Sequence, residues 1–165
     1  MLRISKKLDY GLIILAHLAM NTEDGVISAR NIANEYGLPL PVTSGILKAF
    51  SSAGIVKSTR GVRGGHELAR PSGEITFGEI AEAIEGPMQM ADCVMVEGAS
   101  RRDCGYEKNC PVREPVRVVH NTLQTVFERI TLSHLAGQVP LATSDIVINV
   151  PVSDPTILFQ RSQAN

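Results

Sequence analysis

All three cysteines of the chain lie within eighteen residues, at Cys93, Cys104 and Cys110. The run between them is rich in glycine and charge and has no apolar period of either helix or strand, which predicts a loop. Thiolates are ligands for zinc, copper(I) or iron–sulfur clusters, and a loop can fold three of them round one centre. A closed zinc site or an ordinary cluster needs a fourth ligand, which must be of another residue type. Spacing alone leaves free cysteines in a surface loop as an equal alternative.

The length and composition predict one ordinary domain, or a small domain with an extension, because the chain has 165 residues. A content of only 4% aromatic residues and no Trp predicts a mainly aliphatic core. No apolar run is long enough to span a membrane, and residues 1–6 do not resemble a signal peptide. We therefore expect a cytoplasmic protein whose odd number of cysteines is kept reduced.

The net charge of −1 conceals an uneven distribution along the chain. Residues 1–70 contain nine Lys or Arg against five Asp or Glu, a balance of +4. Residues 71–165 contain seven against twelve, a balance of −5. This asymmetry favours a polyanion-binding module in the first half, joined to a segment with another role.

Three helices are predicted in the first third of the chain. Ser5 caps the first helix, and Ser28 caps a shorter second helix that Gly37 ends. Pro41 suits the first turn of a third helix, where its missing N–H costs nothing. Two helices joined by a short turn rich in Gly and Pro indicate a helix-turn-helix. The residues of the third helix that are predicted to face the core are Ile46, Leu47 and Phe50.

Two runs of β-forming residues follow, at 55–59 and 66–69. The glycine-rich run between them allows a hairpin tip from which Arg60 and Arg63 project. A helix-turn-helix followed by a basic hairpin is a winged helix, and we call residues 55–69 the wing. We expect the wing along the DNA backbone or in a narrow minor groove. The alternative is a plain pair of helices with a solvated surface, which leaves the glycines and charges of the hairpin without a role.

The rest of the chain predicts a capped helix, a long helix and a tail. Thr76 and Glu79 form a capping box for a helix that Gly86 ends. The long helix has more apolar positions than a small domain needs, which favours a dimer seam over packing within one subunit. The proline-interrupted tail is expected to be flexible. The predicted organisation is a DNA-binding domain at 1–88, a cysteine loop at 89–110, a dimerisation helix at 111–135 and a tail at 136–165.

Several motifs occur in order along residues 1–135. They are Met1 to Ser5, Gly37 to Pro41, Ala53 to Val56, Arg60 to Pro71, Ile84 to Pro87 and the three cysteines. Together they resemble the Rrf-two (Rrf2) family of winged-helix regulators, which has IscR-like and NsrR-like members. Leu38 to Pro41 and Glu85 to Pro87 are most similar to the branch that regulates the SUF iron–sulfur assembly system. The resemblance implies a mainly α fold with a small β-wing, a homodimer, operator DNA as partner, and a cluster of the 2Fe–2S type.

The resemblance also implies ligands for that cluster. The three cysteines match the family's cysteine ligands, although the first spacing is longer here than the family's usual one. IscR-like members have a His three residues after the last Cys, where this chain has Arg113, which cannot bind iron. NsrR-like members use an Asp from the first helix of the partner subunit, and Asp9 occupies that place; a carboxylate in a first helical turn is also favoured by the helix dipole alone. His120 in the long helix is the second candidate for the fourth ligand.

Winged-helix geometry and the resemblance together assign DNA contacts. A dimer would set its two third helices about 34 Å apart, one turn of DNA, to read a near-palindromic operator. His66 is expected in wing packing or DNA contact. The predicted DNA-binding residues are Ser28 and Arg30 on the second helix, Pro41, Thr43, Ser44 and Lys48 on the third, and Arg60, Arg63, Gly64 and Gly65 in the wing.

These observations predict a transcription repressor whose operator binding is controlled by an iron–sulfur cluster. Its task would be the control of cluster assembly or of a redox or nitric-oxide response. The alternative is a DNA-binding regulator whose cysteines sense redox state by forming a disulfide, without a metal. An enzyme is not expected, because the sequence has no C-x-x-C and no cysteine at a helix N-terminus beside a base.

Overall fold

Six α-helices and one two-stranded antiparallel sheet occur in the computed structural model, which describes residues 4–22, 25–61, 64–92, 94, 104–105, 109–142 and 146. The predicted fold class, mainly α with a small β-wing, is confirmed. The helices are α1 (Lys6–Met20), α2 (Ala29–Tyr36), α3 (Leu40–Ser52), α4 (Phe77–Glu85), α5 (Arg113–Arg129) and α6 (Leu132–Leu135), and the strands are β1 (Val56–Thr59) and β2 (Gly65–Leu68).

The helix starts follow the capping residues that the sequence predicted. The Ser5 hydroxyl accepts a hydrogen bond from the Leu8 N–H at 3.1 Å, and the Ser28 hydroxyl accepts one at the start of α2. The capping box of Thr76 and Glu79 at the start of α4 is complete. Each such cap satisfies N–H groups that have no partner within the helix and contributes about 1 kcal/mol. The first residue of each of these helices is therefore set by local hydrogen bonds, whereas the stability of the helices comes mostly from packing.

The core lies where α1 crosses α3, with α4 closing it from the other side. A Cβ atom at Gly11 would lie 3.0 Å from the Cζ atom of Phe50, so glycine lets α1 and α3 approach closely. The core is mainly aliphatic, as the composition predicted. Its fully buried members include Ile14, Leu15, Ile32, Ile46, Leu47, Phe50, Ile55, Ile75, Ile80 and Leu132.

The wing is an antiparallel hairpin in which Val56 pairs with Leu68 and Thr59 pairs with Gly65. A third segment joins it, because Ile27 and His66 exchange two backbone hydrogen bonds, of 2.9 and 2.8 Å. The wing is thus attached to the connection between α1 and α2. This attachment positions the wing beside the helix-turn-helix.

The helix predicted over residues 111–135 is divided in two. α5 ends at Arg129, and Thr131 leaves the helical path to pair with Thr76 before it caps α6. The Phe77 N–H donates to the Ile130 carbonyl at 2.7 Å, and the rings of Phe77 and Phe127 pack edge to face at 4.8 Å. The C-terminal end of α5 is therefore bound to the start of α4 through backbone and ring contacts.

The first residues of the predicted tail contact α1 and the segment before α4. The Gln138 amide donates to the Ala19 carbonyl at 2.8 Å, and its oxygen accepts from the Ser72 hydroxyl at 2.7 Å. Beyond Ala142, only Ile146 of the predicted tail belongs to the described residues. Among the helices of the described chain, none is long and apolar enough to cross a lipid bilayer.

Candidate nucleic-acid interface and cysteine site

The third helix, α3, has one face in the core and one face in solvent. Ile46, Leu47 and Phe50 are fully buried, as predicted. Thr43 is fully buried too, and its hydroxyl donates to the Pro39 carbonyl at 3.3 Å. The prediction that Thr43 contacts DNA is therefore wrong. Thr43 lies three and four residues before two core residues, and this helical spacing places it on the inner face.

The outer face of α3 carries the other residues predicted for DNA contact. Pro41, Ser44 and Lys48 are all exposed. Val42 is also 38% exposed, but it lies at the other edge of the helix, where it borders a cavity with Lys6, Lys7 and Tyr10 of α1. Reading the helix outward from the buried Phe50 would have excluded Thr43 from the solvent-facing side.

The second helix, α2, packs against α3 and begins at the cap residue Ser28. The Ser28 hydroxyl accepts the capping hydrogen bond from the Asn31 N–H at 3.1 Å, and its own hydrogen can still donate to a phosphate. Arg30 is exposed two residues later. Within the described part of the chain, neither Arg30 nor Lys48 forms an ion pair. Free cations beside a helix N-terminus match the chemistry of phosphate binding.

The wing adds a further cation to this surface. Arg60 is exposed and has no ion pair with any described residue. Gly61 follows it with a φ of 119°, a conformation that favours glycine, and this forms the predicted hairpin tip. Arg63, the second predicted wing arginine, lies outside the described residues. The exposed residues Arg30, Lys48 and Arg60 place positive charge on α2, α3 and the wing.

The two glycines of the wing have a structural role. A Cβ atom at Gly65 would lie 2.7 Å from the Ile27 backbone, and one at Gly64 would lie 2.2 Å from the Thr59 carbonyl oxygen. Gly65 is buried against Ile27, so the prediction that it contacts DNA is wrong. Both positions need glycine, because the backbone of Ile27 at Gly65 and the backbone of the wing itself at Gly64 pass too close for any side chain.

His66 holds the wing to α3. Its Nδ1 atom is 3.0 Å from the Ser58 hydroxyl, which is 2.8 Å from the hydroxyl of Ser51 near the end of α3. Partial burial lowers the pKa of His66, because the charged imidazolium is less well solvated there. Of the two roles expected for His66, the geometry supports wing packing.

A second network joins the wing to α4. The Arg70 guanidinium donates to Glu79 at 2.6 Å and to the Glu74 carbonyl at 2.7 Å. Burial alone would raise the pKa of Glu79, but hydrogen bonds from Thr76 and Arg70 outweigh burial and lower it. Thr76 also pairs with Thr131 after α5. The wing, α4 and the C-terminal end of α5 are thus connected by specific polar contacts.

The cysteine loop is described only in part. Cys104 and Cys110 are half-buried and have free thiols, and Cys110 lies three residues before α5 begins. Cys93 lies outside the described residues. Within the residues that the structure describes, no three His, Cys, Asp or Glu side chains form a group that could hold a metal ion.

The two candidates for the fourth ligand lie in different environments. Asp9 is exposed on α1, and its carboxylate has no hydrogen bond or ion pair with a described residue. His120 is only 2% exposed and is the one fully buried residue of α5. Its Nδ1 atom is buried with no hydrogen-bond partner among the described residues. His17 and His134, by contrast, already bond to Tyr36 and Thr131.

The buried Nδ1 atom of His120 has no hydrogen-bond partner among the described residues. Leaving a buried polar atom without a partner costs about 1–3 kcal/mol, so such atoms are usually bonded in folded proteins. Imidazole nitrogen replaces cysteine in some 2Fe–2S centres. Thiol and imidazole are donor types that an iron–sulfur centre uses, but the described Cys104, Cys110 and His120 are not grouped round one centre.

A helix-turn-helix with a basic wing at its side defines the class of this protein: it is a winged-helix DNA-binding protein. The family model described as "Rrf2: Iron-dependent Transcriptional regulator" matches residues 4–138. The chain belongs to the Rrf2 family, and it is a transcription regulator. The expectation that it is not an enzyme is confirmed by the regulators to which it is similar.

Comparison with individual proteins agrees with this family. The chain is 32% identical over 113 residues to the HTH-type transcriptional regulator CymR of Bacillus subtilis (strain 168), covering 68% of this chain and 82% of CymR. The structure of CymR (YrzC), the global cysteine regulator of B. subtilis, matches with a TM-score of 0.63 and 31% identity, covering 84% of this chain and 99% of that one. The structure of T. potens IscR matches with a TM-score of 0.58 and 26% identity, covering 87% and 96%.

Proposed function

We propose that this protein is a cytoplasmic, homodimeric repressor whose affinity for operator DNA is controlled by an iron–sulfur cluster of the 2Fe–2S type. The observation that supports the DNA-binding part is that Arg30, Lys48 and Arg60 are exposed on α2, α3 and the wing, and that none of them pairs with an acidic side chain of the described residues. Arg30 and Arg60 would neutralise phosphates, while Ser44 and Lys48 on α3 would reach base edges or phosphates. Arg63 and Gly64 complete the proposed contact at the wing.

The homodimer is supported by the exposed apolar residues of α5. His120 is the only residue of α5 that its own subunit buries completely. Val112 and Val119 remain 56% and 49% exposed at the start and middle of this segment. A second copy of α5 would cover such residues and set two third helices on successive turns of the DNA.

The proposed cluster ligands are Cys93, Cys104 and Cys110, with a fourth ligand that is not cysteine. When bound, an iron–sulfur centre supplies a group whose presence or oxidation state can change. The connection between the cluster ligands and DNA binding would be made by α5. Cys110 lies just before α5, and the other end of α5 is bonded to Phe77 of the DNA-binding domain. A cysteine loop that is ordered at one end of α5 would therefore change the relative placement of the two DNA-binding domains in the dimer.

The size of this effect can be estimated from other coupled sites. A coupling free energy of about 1–3 kcal/mol, or roughly 5–150-fold in DNA affinity, is typical. The signal would be cluster status, nitric oxide or redox state, with control of iron–sulfur assembly as the regulated process. The description of the family as iron-dependent supports an iron centre.

The test is an anaerobic titration of operator-containing DNA with wild type and Cys104→Ala, with iron and sulfide measured in each sample. We expect the affinities to differ by roughly 5–150-fold. Asn109→Ala, an exposed change in the same loop, should behave as wild type. Equal affinities for a cluster-bearing and a cluster-free protein would contradict the proposed control.

A second candidate function keeps DNA binding but has no metal. Cys104 and Cys110 are free thiols, and the similar CymR of B. subtilis is described as a cysteine regulator. In this alternative the cysteines form a disulfide when oxidised. A protein purified anaerobically without iron or sulfide, whose DNA affinity changes on oxidation, would support this alternative over the cluster.

A further inference from the structure

The start of α1 lies beside the N-terminal half of α3, and a cavity of 490 Å³ separates the two helices. We call it the α1–α3 cavity. The described residues that line it are Lys6, Lys7 and Tyr10 of α1 and Val42 and Gly45 of α3. Most of the lining is apolar, because the lysines contribute their carbon stems and hold their ammonium groups in solvent. The cavity therefore combines an apolar wall with two positive charges at its rim.

The α1–α3 cavity and the wing lie on opposite sides of α3. The wing contacts α3 at Ser51, whose hydroxyl is 2.8 Å from the hydroxyl of Ser58. Val42, on the cavity side, is nine residues before Ser51. Nine residues are about two and a half helical turns, so these two side chains point in opposite directions from the helix axis. The solvent-facing side of α3 is therefore bordered by the wing along one edge and by the lysines of α1 along the other.

The cavity also opens onto the surface that is proposed to contact DNA. Gly45 is four residues after Pro41 and three residues before Lys48, so these three residues share one face of α3. All three are exposed. A Cβ atom at Gly45 would have no atom of another described segment within 4 Å. The outer face of α3 therefore continues into the α1–α3 cavity without a covering side chain.

The charge of the cavity favours an anionic occupant. Lys6 and Lys7 are exposed, and neither forms an ion pair with a described residue. Two acidic residues occur at this end of α1, but neither lines the cavity. Glu85 accepts a hydrogen bond from the Ser5 hydroxyl, and Asp9 follows Lys7 by two residues on α1. The ammonium groups of the two lysines are therefore available to a phosphate.

We propose that the α1–α3 cavity binds the sugar–phosphate backbone of DNA, with Lys6 and Lys7 as phosphate contacts, a site that rests on the proposed function. A helix in the major groove, which is about 12 Å wide, has a phosphate backbone on each side. Arg60 of the wing would meet the backbone on one side, and the two lysines meet the backbone on the other. Val42 and Tyr10 offer apolar surface to the carbon atoms of deoxyribose. Contacts on both sides fix the register of α3 in the groove.

The first test measures salt dependence on a duplex that the wild-type protein selects from a random library. Lys6→Gln and Lys7→Gln should each reduce the slope of log affinity against log salt by about 1, because each removes one phosphate contact. Glutamine favours a helix about as well as lysine does, so both variants should fold. Lys6→Arg and Lys7→Arg keep the charge and should keep the slope. Arg117→Gln removes a positive charge from the exposed surface of α5 and should also keep it.

Phosphate ethylation interference on the same duplex locates the contact. Ethylation should weaken wild-type binding at phosphates on both edges of each half-site. The double variant Lys6→Gln, Lys7→Gln should lose this sensitivity at one edge, and Arg60→Gln should lose it at the opposite edge.

Three outcomes would overturn the proposed site while leaving the contacts of α3 and the wing intact. They are unchanged salt slopes in Lys6→Gln and Lys7→Gln, a wild-type pattern of sensitive phosphates in the double variant, and an equal loss of slope in Arg117→Gln. A wild-type protein that selects no duplex would instead overturn the proposed function itself.

Discussion

Adjacent residues of α3 have opposite roles, because successive side chains of a helix point about 100° apart. Thr43 is buried in the core, whereas Ser44 is exposed on the surface proposed to meet DNA. Residue type alone does not separate these two hydroxyl side chains. The separation comes from the position of each one relative to the buried Phe50.

Lys48→Ala is expected to weaken binding to all DNA sequences by a similar factor. If Lys48 contacts a phosphate, the slope of log affinity against log salt should become smaller by about 1. Thr43→Val, a change of similar shape inside the helix, should leave DNA affinity unchanged and lower stability by about 0.5–1.5 kcal/mol through loss of its hydrogen bond. Fluorescence anisotropy over a range of salt concentrations measures the first effect, and urea unfolding the second. A loss of DNA affinity in Thr43→Val equal to that in Lys48→Ala would contradict the placement of the two faces.

The effect of a glycine-to-alanine substitution on stability should depend on the space that each position leaves for a side chain. Gly65→Ala is expected to destabilise the protein by about 1–3 kcal/mol, because the new methyl group meets the Ile27 backbone. Gly45→Ala should instead stabilise the protein by up to about 1 kcal/mol, because alanine favours a helix. The added methyl group would have no atom of another described segment within 4 Å. Urea unfolding of both variants gives the comparison. A neutral Gly65→Ala would mean that the wing and Ile27 are not in contact.

The sequence was sufficient to predict residues whose role is local. Ser5, Ser28 and Thr76 cap helices through hydrogen bonds that span three residues, so the pattern contains all of the information. Gly65 was recognised as part of the wing but given the wrong role. Its neighbour Ile27 is distant in the chain, and no local pattern reports that contact.

At the scale of the element, α4 is held by a network centred on Glu79. Its carboxylate caps α4 through Thr76 and pairs with Arg70, and these contacts lower its pKa below the ordinary 4.5. The folded state therefore binds this proton less readily than the unfolded state does. The resulting stability is present above the ordinary pKa and is lost as the pH falls through the lower, folded value.

Glu79→Gln should accordingly reduce stability at pH 7, and the difference from wild type should shrink as the pH falls below 4.5. Urea unfolding at a series of pH values measures this. Glu82→Gln, on the same helix and without an ion pair to a described residue, should show no comparable pH-dependent difference. A constant difference between Glu79→Gln and wild type at all pH values would rule out the titration of Glu79 as its cause.

The long helix shows a feature that apolar periodicity could not predict. The apolar spacing predicted one helix over residues 111–135, but Thr131 breaks it by pairing with Thr76. That pairing depends on a residue more than fifty positions earlier, which periodicity does not detect. The burial of His120 could not be predicted from periodicity either, because a single His among valines is compatible with the buried or the exposed face of a helix.

At the scale of the whole molecule, the proposed switch depends on two copies of α5. Within one subunit, Val119 is 49% exposed, whereas His120 next to it is buried on the face that packs towards α4. α5 would thus have an inner face for its own subunit and an outer face for its partner. These two roles can be separated by mutation.

Val119→Glu is expected to convert the dimer to a folded monomer, because a charge on the outer face cannot be buried against a second subunit. Asn121→Glu, an exposed change two residues along, should remain dimeric. Analytical ultracentrifugation gives the mass of each, and DNA titration should show that only Val119→Glu loses tight binding to a two-site operator. If Val119→Glu remains a dimer, α5 is not the seam.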